Sequence, residues 1–229
     1  MLEAWLRKPG VFGTAVELAR VEDVLTSHVF GLLRYLPVDH GIGPLLGALG
    51  LPAPKGSVSV DFWPLRDGTE PDVVLRYDRM AVLVEAKLDS GFGDRQLGRE
   101  WRWLAREHPR ARRVLVTLTR DRLAPTAIVA QVADDLDHLD DAPPPPSSRE
   151  VRSLRWREIL PALPPPRSPA EHAIHTDLAA LLARAGERAR PFQGWPPTPP
   201  TAPAHAAFFR ARPFQRLVAP ALPSPWRLR

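Results

Sequence analysis

Two short runs rich in Val and Leu, Val73 to Tyr77 and Met80 to Val84, flank the polar pair Asp78 and Arg79. Apolar runs of this length around two polar residues predict a β-hairpin with a tight loop. If the turn is centred on that pair, Tyr77 faces Met80, Leu75 faces Val82, and at the open end Asp72 lies opposite Glu85. Val58 to Trp63 alternates with Val58, Val60 and Phe62 on one face, which predicts a further strand beside the hairpin. From about Thr14 to Leu36, Leu18, Val21, Leu25, Val29, Leu32 and Leu36 recur at helical intervals, and Pro37 is expected to end that helix.

The same periodicities continue downstream. Gly41, Gly43, Gly47 and Gly50, then Pro52 and Pro54, read as a loop holding one short helix around Leu45 to Leu49. A Gly-rich turn at 89–94 leads into a helix running to about His108, with Asp94 as its expected cap and Leu97, Trp101 and Leu104 as its apolar stripe. Val114 to Thr119 reads as a buried strand, Pro125 as the first residue of a helix, and Val151 to Trp156 as a late strand. Ser168 caps a last helix from Pro169 to about Ala185, closed by Gly186. This order of elements predicts an α/β domain with a mixed central sheet flanked by helices.

The open end of the hairpin gathers the polar chemistry. Side chains alternate across a sheet, so Lys87 shares the face of Glu85, beside Asp72. Directly opposed like charges destabilise a sheet. A divalent cation would offset the repulsion: hard Mg2+, with Mn2+ as an alternative, favours one or two carboxylates plus waters and phosphate oxygens, and the Ala86 carbonyl is a further candidate ligand. Such a group of residues suits phosphodiester hydrolysis. The plain alternative is a surface pair of Glu85 and Lys87 beside a turn-capping Asp72.

The residues Pro71-Asp72, then twelve residues, then Glu85-Ala86-Lys87 resemble the signature of the PD-(D/E)XK nuclease superfamily. The resemblance spans roughly residues 14–119. It implies a restriction endonuclease-like fold and a metal-dependent nuclease, an endo- or exonuclease cleaving phosphodiester bonds in nucleic acid, DNA first, in a defence or restriction-type role. Asp72, Glu85 and the Ala86 carbonyl would hold the metal, and Lys87 would orient or activate the hydrolytic water. The competing reading is a non-catalytic nucleic-acid-binding or assembly subunit on the same fold.

The preceding helix supplies another acid. At 100° per residue Glu22 sits on the edge of the apolar stripe beside Leu25 and Val29, where a carboxylate is costly unless paired or coordinated. Helix phase favours it over Glu17, and the superfamily's helix before the sheet often contributes such a Glu. Gln96, in the first turn after the hairpin, is placed to hydrogen-bond a phosphate, a base or the attacking water, and many superfamily members have a Gln at a similar place. Arg95, Arg99, Arg102 and Arg106, three or four residues apart, make one basic face suited to nucleic-acid phosphates, or else a solvated face.

Composition narrows the classes. Cysteine is absent, which excludes thiolate metal sites and a catalytic Cys. There is no G-x-S-x-G and no P-loop pattern, and Asp134, Asp135, Asp137, Asp140 and Asp141 lack the glycine and terminal Glu of a calcium loop. With no signal-like start and no apolar run of membrane-spanning length, a cytoplasmic protein is expected, and a homodimer or larger complex stays open. The domain is expected over residues 1–186. Residues 187–229 form a Pro- and Arg-rich extension with seven Arg and one acid, carrying the chain's whole excess of positive charge. It contains Ala-Arg-Pro-Phe-Gln twice, at 189–193 and 211–215, and its aromatics suggest a strap laid over the domain or a partner.

Overall fold

The computed structural model describes residues 22–187. Trp5, Phe12, Glu17, the part of the expected first helix before residue 22, and residues 188–229 lie outside them. The described chain is an α/β domain around a five-stranded mixed sheet in the order β1 (Ser59–Phe62), β2 (Val73–Tyr77), β3 (Met80–Ala86), β4 (Arg112–Thr119) and β5 (Val151–Arg155). The first three strands are antiparallel neighbours and the last three are parallel.

The hairpin has the predicted register, with Tyr77 paired to Met80, Leu75 to Val82 and Val73 to Val84. Asp78 takes a left-handed backbone at φ 46°, a conformation that Asp tolerates better than most residues and that a two-residue loop demands. Parallel strands need long crossovers, and two helices provide them: α3 (Gln96–Glu107) between β3 and β4, and α4 (Pro125–Leu136) between β4 and β5. Both cover one face, where Leu97, Trp101, Leu104, Ile128 and Val132 pack on Val74, Leu83 and Leu115.

The opposite face is covered by α1 (Glu22–Leu33), α2 (Ile42–Ala48), the short α5 (Ile159–Ala162) and α6 (Pro169–Arg184). Leu25, Val29 and Leu33 of α1 and Leu178 and Leu182 of α6 meet Val73, Leu75, Val82 and Val116 there. With both faces covered, β3 is buried along all seven residues, as expected of a strand in the middle of a doubly covered sheet. Each Val or Leu buried in this way contributes roughly 1.5–3 kcal/mol.

Three local expectations are corrected. The α1 helix ends at Leu33 rather than running to Leu36, because the chain already turns at 34–36, with Leu36 N–H bonded to the Leu33 carbonyl. Asp94 does not cap α3. The N-cap is Arg95, in a left-handed conformation at φ 49°, with no side-chain cap bond. The Gln96 side chain reaches back instead, accepting from Gly93 N–H at 2.9 Å. Trp156 is not the end of β5 but opens a 3-10 turn (Trp156–Glu158).

Helix α3 is locked against α4 at Gly98. The Asp135 carboxylate accepts from Gly98 N–H at 2.9 Å and from Gln131 Nε2 at 2.7 Å, using one of the donors that a helix's first turn leaves without an internal partner. Asp135 thus belongs to a helix junction. A Cβ on Gly98 would lie 2.4 Å from Asp135 Cβ and 3.1 Å from its backbone carbon. Gly98→Ala is therefore expected to cost about 1–3 kcal/mol by overpacking, measured by urea unfolding. Gly91→Ala, at a position with nothing within 4 Å of the added carbon, is the control and should unfold as wild type does.

Candidate active site

The site forms where β2 begins and β3 ends. Val73 pairs with Val84, so the register carries Asp72 opposite Glu85 one step beyond the last ladder pair. Both acids are buried, Glu85 with 1% of its surface exposed and Asp72 with 8%. They leave the sheet on the side covered by α3, in line with Leu83 and Val74.

Pro71 explains how Asp72 is held. In the ladder closed by Tyr77 and Met80, alternate β3 residues point their N–H and C=O at β2, and the partner falling to Ala86 is residue 71. A proline has no N–H to give, so the Ala86 carbonyl lacks its usual ladder donor. The Asp72 carboxylate takes the other half of the exchange, accepting from Ala86 N–H at 2.8 Å. The Ala86 carbonyl therefore faces the Asp72 side and is available there.

Lys87 links the two faces of the sheet. Its ammonium donates to Glu85 Oε1 at 2.5 Å and to Glu22 Oε1 at 3.1 Å. Glu22, in the first turn of α1, also accepts from Leu88 N–H at 2.7 Å and Ser90 Oγ at 3.1 Å, so its carboxylate pins the chain leaving β3. The Lys87 backbone is fixed as well: its N–H bonds the Leu118 carbonyl at 2.8 Å, and its carbonyl accepts from the fully buried Trp156 indole at 3.0 Å.

Gln96 approaches from α3, its amide nitrogen donating to Glu85 Oε1 and, at 2.9 Å, to Glu100 Oε1. Glu100, which stands among arginines in the sequence, is not among the residues expected at the site. Its signal was available: it lies four residues after Gln96 and between Leu97, Trp101 and Leu104, on the inward stripe, and it is 2% exposed.

The basic face is placed elsewhere. Arg95 and Arg102 donate to the carbonyls of His138 and Asp140, Arg99 to that of Asp94, and Arg106 lies 3.8 Å from Asp141. These residues tie α3 to the segment after α4 and to its own lead-in, and none contacts the acids. Trp101 and Trp103 are buried in the core, with the Arg113 guanidinium 5.3 Å from the Trp101 ring centroid.

Glu22 and Glu85 thus hold one ammonium, with Asp72 opposite Glu85 and Glu100 joined to Glu85 through the Gln96 amide. Burial first, and Glu85 second, push the Asp72 carboxyl up to about 8 against the opposing pull of Ala86 N–H and Lys87, and the same two causes raise Glu100 well above the carboxylate range. Burial works against the Lys87 charge, but Glu85, Glu22 and Asp72 outweigh it and raise its pKa. Lys87 is therefore held as a cation.

Among the described residues no three acidic or histidine side chains converge as a ready-made metal cage. Mg2+ does not require one, since it is commonly held by one or two carboxylates with waters and phosphate oxygens. The donor set fits that mode: Glu85 Oε2 is buried without a hydrogen-bond partner, Asp72 stands opposite, and the Ala86 carbonyl faces the same side. Comparison of the chain with protein-family models, with curated proteins and with solved structures found no match in any of the three.

The folded chain holds the Asp72 proton far above the ordinary 3.8, so between about pH 4 and 8 the folded state binds more protons than the unfolded one and stability falls as pH rises. In EDTA, unfolding free energy is expected to drop from pH 5 to pH 8 by on the order of a few kcal/mol more in wild type than in Asp72→Asn. Parallel pH profiles for the two proteins would refute this assignment.

Proposed function

We propose that the chain is a metal-dependent phosphodiester hydrolase, a nuclease of the PD-(D/E)XK type with a restriction endonuclease-like core. The observation that carries this reading is the convergence of Asp72 and Glu85, both buried, beside Lys87 at the end of β3. Four acids, Glu22, Asp72, Glu85 and Glu100, stand with one ammonium there, and burial together with Glu85 pushes Asp72 and Glu100 toward their protonated forms. A divalent cation would displace the proton that Asp72 holds and offset the clustered negative charge, and is the natural complement.

Asp72, Glu85 and the Ala86 carbonyl would hold the ion. When bound, it supplies Lewis-acid polarisation of a phosphoryl oxygen and lowers the pKa of a coordinated water. Lys87 stays protonated, so its role is to orient the attacking water and to offset charge building on the phosphate, with Glu22 holding its ammonium in place. This narrows the earlier alternatives for Lys87, because an ammonium stabilised by three carboxylates is a poor base. Gln96 positions Glu85 through its amide.

The α/β domain with its five-stranded mixed sheet is compatible with that reading, and the substrate proposed is DNA, in a defence or restriction-type setting. Among the described residues no helix is long and apolar enough to cross a membrane. The Arg95, Arg99, Arg102 and Arg106 face remains the proposed phosphate-binding surface, with its side chains exchanging their present backbone contacts for phosphate oxygens.

The test is incubation of the full chain with double-stranded DNA, single-stranded DNA and RNA in Mg2+, Mn2+ or EDTA. Cleavage is expected only with metal, and Asp72→Ala and Lys87→Ala should each lose at least a hundredfold in rate, about 2.7 kcal/mol of transition-state stabilisation. Metal-independent cleavage, or variants as active as wild type, would overturn the hydrolase reading. Binding without cleavage on every substrate would instead identify a non-catalytic nucleic-acid-binding subunit.

A further inference from the structure

The end of the sheet away from the acids carries a second concentration of charge. The ladders align Tyr77 with Met80 and Met80 with Arg112, so these side chains form one row across β2, β3 and β4. Met80 stands five residues before Glu85, about 17 Å along the strand and on the opposite face. A cavity of about 610 Å³ opens beside this row. Its walls add Lys55, from the loop before β1, and Asp78 and Arg79 of the hairpin turn.

Three cations thus meet one carboxylate. Among the described residues the side chains of Lys55, Arg79 and Arg112 make no hydrogen bond or ion pair. Only their backbones are engaged, Lys55 N–H with Asp78 Oδ2 at 3.3 Å and Arg112 N–H with the Arg79 carbonyl at 2.7 Å. Elsewhere Arg66, Arg76 and Arg120 are each paired with a carboxylate at 2.7 to 3.2 Å. The Tyr77 hydroxyl is a fourth group: the residue is 4% exposed, and its oxygen is buried with no hydrogen-bond partner. Burial pushes the phenol up, Arg112 pulls it down and Asp78 pushes it up, so its oxygen lies within electrostatic reach of two wall residues. A tyrosine hydroxyl carries its own proton, and what is missing here is an acceptor.

Unpaired cations and a donor without an acceptor, gathered on one cavity, suit an anion with several oxygens. Guanidinium forks meet phosphate oxygens two at a time, and lysine supplies a point charge. The cavity has the size of a small-molecule site rather than of a bare ion. Pro52 and Met80 make the rest of the wall apolar, and a guanidinium plane stacks on a flat ring. Asp78, the one acid, is the type of residue that accepts from ribose hydroxyls. A nucleic-acid strand held at the acids would have to pass round the sheet to reach this face, whereas a free nucleotide would not. We infer that the cavity at the hairpin turn binds a nucleoside monophosphate, its phosphate held by Lys55, Arg79, Arg112 and the Tyr77 hydroxyl. This site is separate from the proposed metal centre and does not depend on the nuclease reading.

Titration calorimetry of the full-length chain in EDTA tests this, with adenosine, guanosine and cytidine 5′-monophosphates, inorganic phosphate and adenosine as probes. At least one nucleotide is expected to bind roughly tenfold or more tightly than inorganic phosphate, and adenosine not at all. Arg112→Gln and Lys55→Gln should each weaken that nucleotide about tenfold, and Tyr77→Phe about fivefold. Without ligand, Tyr77→Phe should melt no lower than wild type, because no hydrogen bond is lost. Arg157→Gln, at an exposed position beyond β5 at the other end of the sheet, is the charge control and should bind as wild type does. Absence of nucleotide binding, phosphate binding as tight as every nucleotide, or unchanged affinity in Arg112→Gln and Lys55→Gln overturns the site. If Arg112→Gln does not fold, Lys55→Gln decides alone. Weaker binding of duplex DNA by these variants, with no nucleotide bound by wild type, would assign the cations to a nucleic-acid backbone and refute the nucleotide site. Nucleotide binding by a chain that cleaves no substrate leaves this site standing and ends the hydrolase reading alone.

Discussion

Glu85 is a carboxylate at the end of a strand buried on both faces, and the surrounding structure is arranged around keeping it there. Water cannot solvate it, so its neighbours must: Lys87 from the same strand and Gln96 from α3. Each of those needs an anchor in turn. Lys87 is steadied by Glu22 from α1, Gln96 by Gly93 N–H, and α3 as a whole by the Asp135 contact at Gly98. The two helical layers, which share no core cluster, are coupled through this one acid.

The way the strands end decides what the site can be. In the interior of β2 and β3, every backbone group has a ladder partner and nothing is left for chemistry. At Pro71 the ladder stops by covalent necessity, since the imide nitrogen carries no hydrogen. One carbonyl and one carboxylate are thereby directed at the same space. A break in regular pairing, and not a separate loop, provides the polar cluster.

Much of this was legible from the chain. The two-residue Asp78-Arg79 turn fixed the hairpin register, because an apolar period of two on each side permits only one pairing that buries Leu75 and Val82 together. Helix phase placed Glu22 at the boundary of the stripe, and the structure has it there, within reach of Lys87. What was not legible depends on tertiary approach. Glu100 stands among arginines in sequence, and only the packing of α3 on β3 shows that its side of the helix faces inward. Asp94 has the right residue type for a cap, but the left-handed Arg95 turns it away, and Gln96 takes over the local bonding. The Arg-rich face was visible as a pattern, whereas its contacts with the 138–141 segment depend on where α4 ends.

The backbone of Lys87 is clamped from two directions, by β4 through its N–H and by Trp156 through its carbonyl. Neither clamp involves the side chain. The position therefore behaves as a socket whose chain path is set independently of its ammonium, so that the course of the backbone out of β3 and the charge beside Glu85 are written into different atoms of the same residue.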